Sequence, residues 1–101
     1  MNSGILAEFK NVKSNCDAYA RSLAEFCNTV SEEITGMKNN LKGLSNYWNG
    51  EFYEVFAEVF NKKICNIEQI VYKSSQLREA ISRTGVRLQA EIEKIEREIS
   101  Q

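Results

Sequence analysis

The chain has 101 residues, no proline, no histidine and a formal net charge of −1. That length holds at most one small domain. The lack of histidine removes His-based acid–base and nucleophilic catalysis along with the commonest metal ligand. Basic residues form no block that would mark a nucleic-acid footprint, and no stretch approaches the roughly 20 apolar residues of a membrane span.

From Ile5 the apolar residues recur at gaps of three and four through Phe9, Val12, Cys16, Tyr19, Leu23, Phe26, Val30, Ile34, Met37 and Leu41. This 3.6-residue period predicts a first helix over about residues 4–42. Ser3 is its expected N-cap. Gly43 is its expected C′ residue, behind Lys38 and Lys42 in the last turns. Residues 43–50, ending Tyr47-Trp48-Asn49-Gly50, break the period and supply turn chemistry. Glu51 and Glu54 then favour a helix N-terminus. The period resumes at Phe52 and continues through Phe56, Phe60, Ile64, Ile67, Leu77, Leu88, Ile92 and Ile99, predicting a second helix over about residues 50–99. Gly85 is its weak point, at roughly 1 kcal/mol relative to Ala if exposed to solvent. A short connection between long helices makes them antiparallel neighbours. The expected fold is therefore all-α, an antiparallel two-helix hairpin forming a single domain over residues 1–101.

Residues at the start, Met1 to Glu8, lack a basic region followed by a long apolar core, so no cleavable signal peptide is expected. Cys16, Cys27 and Cys65 are odd in number and spaced like no known motif, which argues against a disulfide framework and a zinc site. Cys16 and Cys27 fall on the apolar stripe of the first helix and are expected as buried small hydrophobes. Cys65 falls opposite the stripe of the second helix, so a Cys27–Cys65 bond fails on direction. The remaining expectation for Cys65 is an exposed free thiol of no assigned role. No catalytic residue, metal ligand or cofactor site emerges.

On a helical wheel the stripe from Leu77 to Ile99 is narrow. Between Phe52 and Val71 it broadens to about half the circumference, and one neighbouring helix cannot cover an arc that wide. Two helices alone also make a meagre core. The expected remedy is a partner: a second hairpin that completes a four-helix bundle. Phe52, Phe56, Phe60, Ile64 and Val71 are the expected pairing surface. Lys63, near the centre of that arc, is expected to reach solvent on its aliphatic stem. Tyr53 and Tyr72 are expected as amphipathic surface tyrosines.

Trp48-Asn49-Gly50 lies almost midway between the two helices. Trp supplies a large apolar body with one donor, suited to closing the end of a bundle, and Gly lets the backbone turn tightly beside it. In length, hairpin architecture, central W-x-G turn and the aromatic Phe56 after it, the chain resembles the WXG family of bacterial type VII secretion, the small early-secretory-antigen-like proteins. The resemblance implies a helical dimer exported through a membrane ATPase-driven machine, cytoplasmic before export and secreted without a cleavable signal. It also implies a role as substrate or as carrier and partner for a larger effector. The partner would be a second copy, a related hairpin or an effector's N-terminal helices. Members or their partners often carry Tyr-x-x-x-Asp/Glu after the second helix, and no tyrosine follows Leu88 here. The alternative expectation is an intracellular helical adaptor or chaperone that receives a partner's amphipathic helix and is not exported. Neither reading involves catalysis, a cofactor, nucleic acid or stable membrane insertion.

Overall fold

With no proline to break them and few glycines to weaken them, the two periodic segments form uninterrupted helices. The computed structural model describes residues 2–48 and 50–101. Helix α1 spans Asn2–Leu44 and helix α2 spans Glu51–Ser100, an all-α helical hairpin. Among the described residues no helix is long and apolar enough to cross a membrane. Each helix contributes to two compact units, one of Met1–Ala24 with Ser75–Gln101 and one of Glu25–Ser74.

Helix α1 begins before Ser3 and continues through Gly43, so neither residue has its expected capping role. The chain stops α1 by another device. The last four carbonyls of a helix have no intrahelical partner, and here each finds one. The Tyr53 hydroxyl donates to Leu41 O at 3.3 Å. Ser45 donates its N–H to Lys42 O at 3.3 Å and its hydroxyl to the same oxygen at 2.6 Å. Asn46 N–H reaches Gly43 O at 3.1 Å, and both Tyr47 N–H and Trp48 N–H reach Leu44 O, at 3.0 and 2.8 Å. Because these donors come from the turn and from α2, the helix ends without a left-handed glycine at its C′ position.

That conformation appears instead at Gly50, whose φ is +77°. An L residue with a Cβ is strained there. Gly50 O accepts Glu54 N–H at 3.2 Å, the first intrahelical bond of α2, so Gly50 is the N-cap of that helix. Glu51 and Glu54 occupy its first turn, where the helix dipole favours negative charge.

In the unit of residues 25–74 the seam between the arms buries Ile34, Leu41 and Ile64. Polar contacts cross it at intervals: the Cys27 thiol donates to Val71 O at 3.6 Å, and Lys38 pairs with Glu68 at 3.2 Å. In the unit of residues 1–24 and 75–101, Ile92 is buried, and Lys10 pairs with Glu96 at 3.5 Å. Such exposed ion pairs each contribute roughly 0–1 kcal/mol. The seams therefore rest on apolar burial. Gly85 is buried in this unit, not solvent-exposed, and a Cβ there would lie 3.1 Å from Asp17 Oδ1. The absence of a side chain at Gly85 lets Asp17 of α1, itself held by Lys13 at 2.6 Å, lie against α2.

Candidate pairing face at the turn

Trp48 carries the largest apolar side chain in the turn, and its backbone N–H bond to Leu44 fixes where the ring starts. The ring meets Phe52 and Phe56 edge-on, each at a centroid distance of 5.5 Å. Phe56 in turn stacks on Phe60 at 6.0 Å. Phe52, Phe56 and Phe60 follow one another at a spacing of four, so the helical period strings them down one side of α2. Edge-to-face and offset contacts of this kind add about 0.5–1.5 kcal/mol beyond area burial. The aromatic row thus continues the turn into the first turns of α2.

Beside the row runs an open groove of about 130 Å³, lined by Met37, Asn40, Leu41 and Leu44 of α1 and by Phe56 and Phe60 of α2. Outside the groove, α2 carries further apolar residues open to solvent. Phe52 is 70 % exposed, and Val55, Val59 and Ile70 are each more than half exposed. Elsewhere in the same unit, Phe26 of α1 is 43 % exposed. Single exposed apolar residues are ordinary, whereas a contiguous set of this kind marks an interaction surface.

The expected pairing residues divide between this face and the seam. Phe52 and Phe56 lie on the open face, and Phe60 is half-buried in the groove wall. Ile64, at 3 % exposure, packs inside the hairpin. Val71 is half-buried, with its carbonyl against the Cys27 thiol. Both stand on the side of α2 that faces α1, Ile64 fully covered there and Val71 in part. Their places are taken by Val55, Val59 and Ile70, which the wheel sets close to Phe52, and by Met37 and Leu44 of α1. Of the W-x-G residues, Trp48 joins the aromatic row and Gly50 caps α2, while Asn49 lies outside the described residues. Tyr53 is half-buried, its hydroxyl engaged by Leu41 O, so it closes α1 instead of meeting solvent. Lys63 is exposed, as its long stem permits.

Cys65 is exposed and Cys16 and Cys27 half-buried, all three as free thiols. Among the described residues no three metal-ligating side chains cluster. The unit of residues 1–24 and 75–101 carries an apolar groove of its own, about 410 Å³, lined by Val12, Asn15, Cys16, Tyr19, Leu77 and Ile81. Leu77 and Tyr19 are about half exposed there.

The fold and this face together describe a helical hairpin with more apolar surface than two helices can cover for each other. No family model, curated protein or solved structure matches the chain.

Proposed function

We propose that the chain is a non-catalytic pairing hairpin, a WXG-like substrate or secretion partner of a bacterial type VII system. One observation carries the reading. The aromatic row Trp48–Phe52–Phe56–Phe60 starts at the W-x-G turn and flanks an open apolar groove. A row of rigid aromatic side chains beside a groove is the usual composition of a recognition core, in which a few large anchors supply most of the binding free energy. An amphipathic helix or a second hairpin laid along it completes the bundle that two helices leave half built. Secretion enters through the W-x-G turn and the family resemblance it supports.

Export is the decisive measurement. The tagged chain is expressed in a bacterium with a type VII system and in the same strain lacking the system's membrane ATPase. The reading expects the chain in the medium of the first strain and not of the second. Retention inside the cells of both strains, alongside a stable complex with an amphipathic helix, would assign the face to a non-exported adaptor instead.

A further inference from the structure

The unit of residues 1–24 and 75–101 carries a polar groove as well as its apolar one. It is open, about 300 Å³, and lined by Asp17, Ala20, Arg21 and Ala24 of α1 and by Arg78 and Ser82 of α2. On a helical wheel Asp17, Arg21 and Ala24 lie well round α1 from Val12, Cys16 and Tyr19 of the apolar groove, so the two grooves flank the seam on opposite sides. Two guanidinium groups, one from each helix, thus share a groove that Ala20, Ala24 and Ser82 are too short to fill.

Like charges sharing a groove run against the pattern elsewhere in the chain. Across the seams Lys10 meets Glu96 and Lys38 meets Glu68. Arg21 and Arg78 enter no ion pair among the described residues, although Arg78 is half-buried. The one carboxylate in the groove, Asp17, is held by Lys13 at 2.6 Å. Two cations brought together without an anion oppose the fold. An arrangement that breaks a local rule with no compensation inside the chain marks a functional position.

We infer that this groove holds an acidic segment of a partner polypeptide, with a carboxylate clamped between Arg21 and Arg78. The planar fork of a guanidinium matches carboxylate and phosphate alike. Asp17 decides between them, because a dianionic phosphate meets more repulsion from it than a singly charged carboxylate does. The groove is also longer than an isolated ion needs. Asp17 and Ser82 line a second open groove, about 540 Å³, that continues past Gly85 and Gln89 to Glu93. From Arg78 to Glu93 is about 22 Å along α2, which about seven extended residues would span. Glu93 enters no ion pair among the described residues, so that end repels carboxylates and the acidic residues belong at the arginine end. The groove shares no residue with the pairing face, so its occupancy does not depend on how that face is used.

The test is an NMR titration of the full chain, read at the arginine Nε–H signals at about pH 6, where glutamate stays ionised. The probe is a capped tetraglutamate peptide, with capped tetralysine and inorganic phosphate as controls. Tetraglutamate is expected to shift Arg21 and Arg78 together and saturably, while the exposed Arg83, Arg87 and Arg97 move little. Arg21→Gln and Arg78→Gln are each expected to raise the peptide Kd about tenfold, with helicity by circular dichroism unchanged. Arg21 is exposed, so Arg21→Gln carries the test if Arg78→Gln does not fold. No shift at Arg21 and Arg78 with millimolar tetraglutamate overturns the inference, as do equal shifts at all five arginines or a Kd that both variants leave unchanged. Phosphate that shifts the pair at lower concentration than tetraglutamate overturns the choice of a carboxylate, and tetralysine that shifts it overturns the charge complementarity.

Discussion

Phe52 and Ile64 are both large apolar residues of α2, twelve positions apart, and the structure gives them opposite roles. Ile64 is 3 % exposed and Phe52 70 % exposed. Truncating Ile64 to Ala removes packing inside the hairpin, which for a core isoleucine costs about 2–5 kcal/mol of folding stability. Truncating Phe52 removes little of what the single hairpin buries. Full burial of a phenylalanine stabilises by about 1.5–3 kcal/mol, so the buried third contributes under about 1 kcal/mol to the fold. The exposed remainder becomes about 1–2 kcal/mol per copy once the face is covered, or about 2–4 kcal/mol in a symmetric dimer. That converts to a Kd raised roughly 30- to 1000-fold. The assay has two arms, because pairing itself stabilises the fold by mass action. Thermal melts followed by circular dichroism, run over a wide range of chain concentration and extrapolated to the dilute limit, report the hairpin alone. Analytical ultracentrifugation reports association. The expected pattern is a large loss of dilute-limit stability for Ile64→Ala, and a large loss of association with little loss of dilute-limit stability for Phe52→Ala. If Phe52→Ala associates like the parent, or destabilises the dilute hairpin as much as Ile64→Ala does, the division between seam and face is wrong.

The glycines give three signed predictions in thermal or urea unfolding. Gly36 lies inside α1, exposed, with nothing within 4 Å of an added Cβ, so Gly36→Ala should stabilise by about 1 kcal/mol through helix propensity. Gly50 has φ of +77°, and Gly50→Ala should destabilise by about 1–2 kcal/mol, with Gly50→Asn costing less because Asn tolerates that conformation and caps helices well. At Gly85 the atom in the way is a carboxylate oxygen at the end of the Asp17 side chain, which can yield by a few tenths of an ångström. Gly85→Ala is thus expected to stabilise by less than about 1 kcal/mol.

The hairpin was legible because both helices repeat their apolar residues at a period that only a helix satisfies, and because proline is absent throughout. The ends of α1 were less legible. Ser3 and Gly43 have the right chemistry for caps, yet the carbonyls at the end of α1 are satisfied by Ser45, by turn N–H groups and by the Tyr53 hydroxyl reaching back from α2. The last of these depends on the register between helices, which one helix's sequence does not encode. Gly85 posed a similar difficulty: composition marks it as a weak point, and only the approach of Asp17 turns the missing side chain into a fit.

The pairing face shows where periodicity stops being informative. Between Phe52 and Val71 the apolar arc covers about half the wheel, and one neighbouring helix covers only part of it. The period states that the arc is apolar throughout without saying which part turns inward. That choice belongs to α1, whose own stripe of Ile34 and Leu41 must be met by residues at the same level. Ile64 and Val71 stand on the side α1 takes; Phe52, Val55, Val59 and Ile70 are left on the other. Lys63 sits among this second set and is exposed. A lysine fits badly in the dry seam of a hairpin but well on an open face, where its stem lies along apolar neighbours and the ammonium stays in water. Its position within the arc was the one sign in the sequence that the two halves have different neighbours.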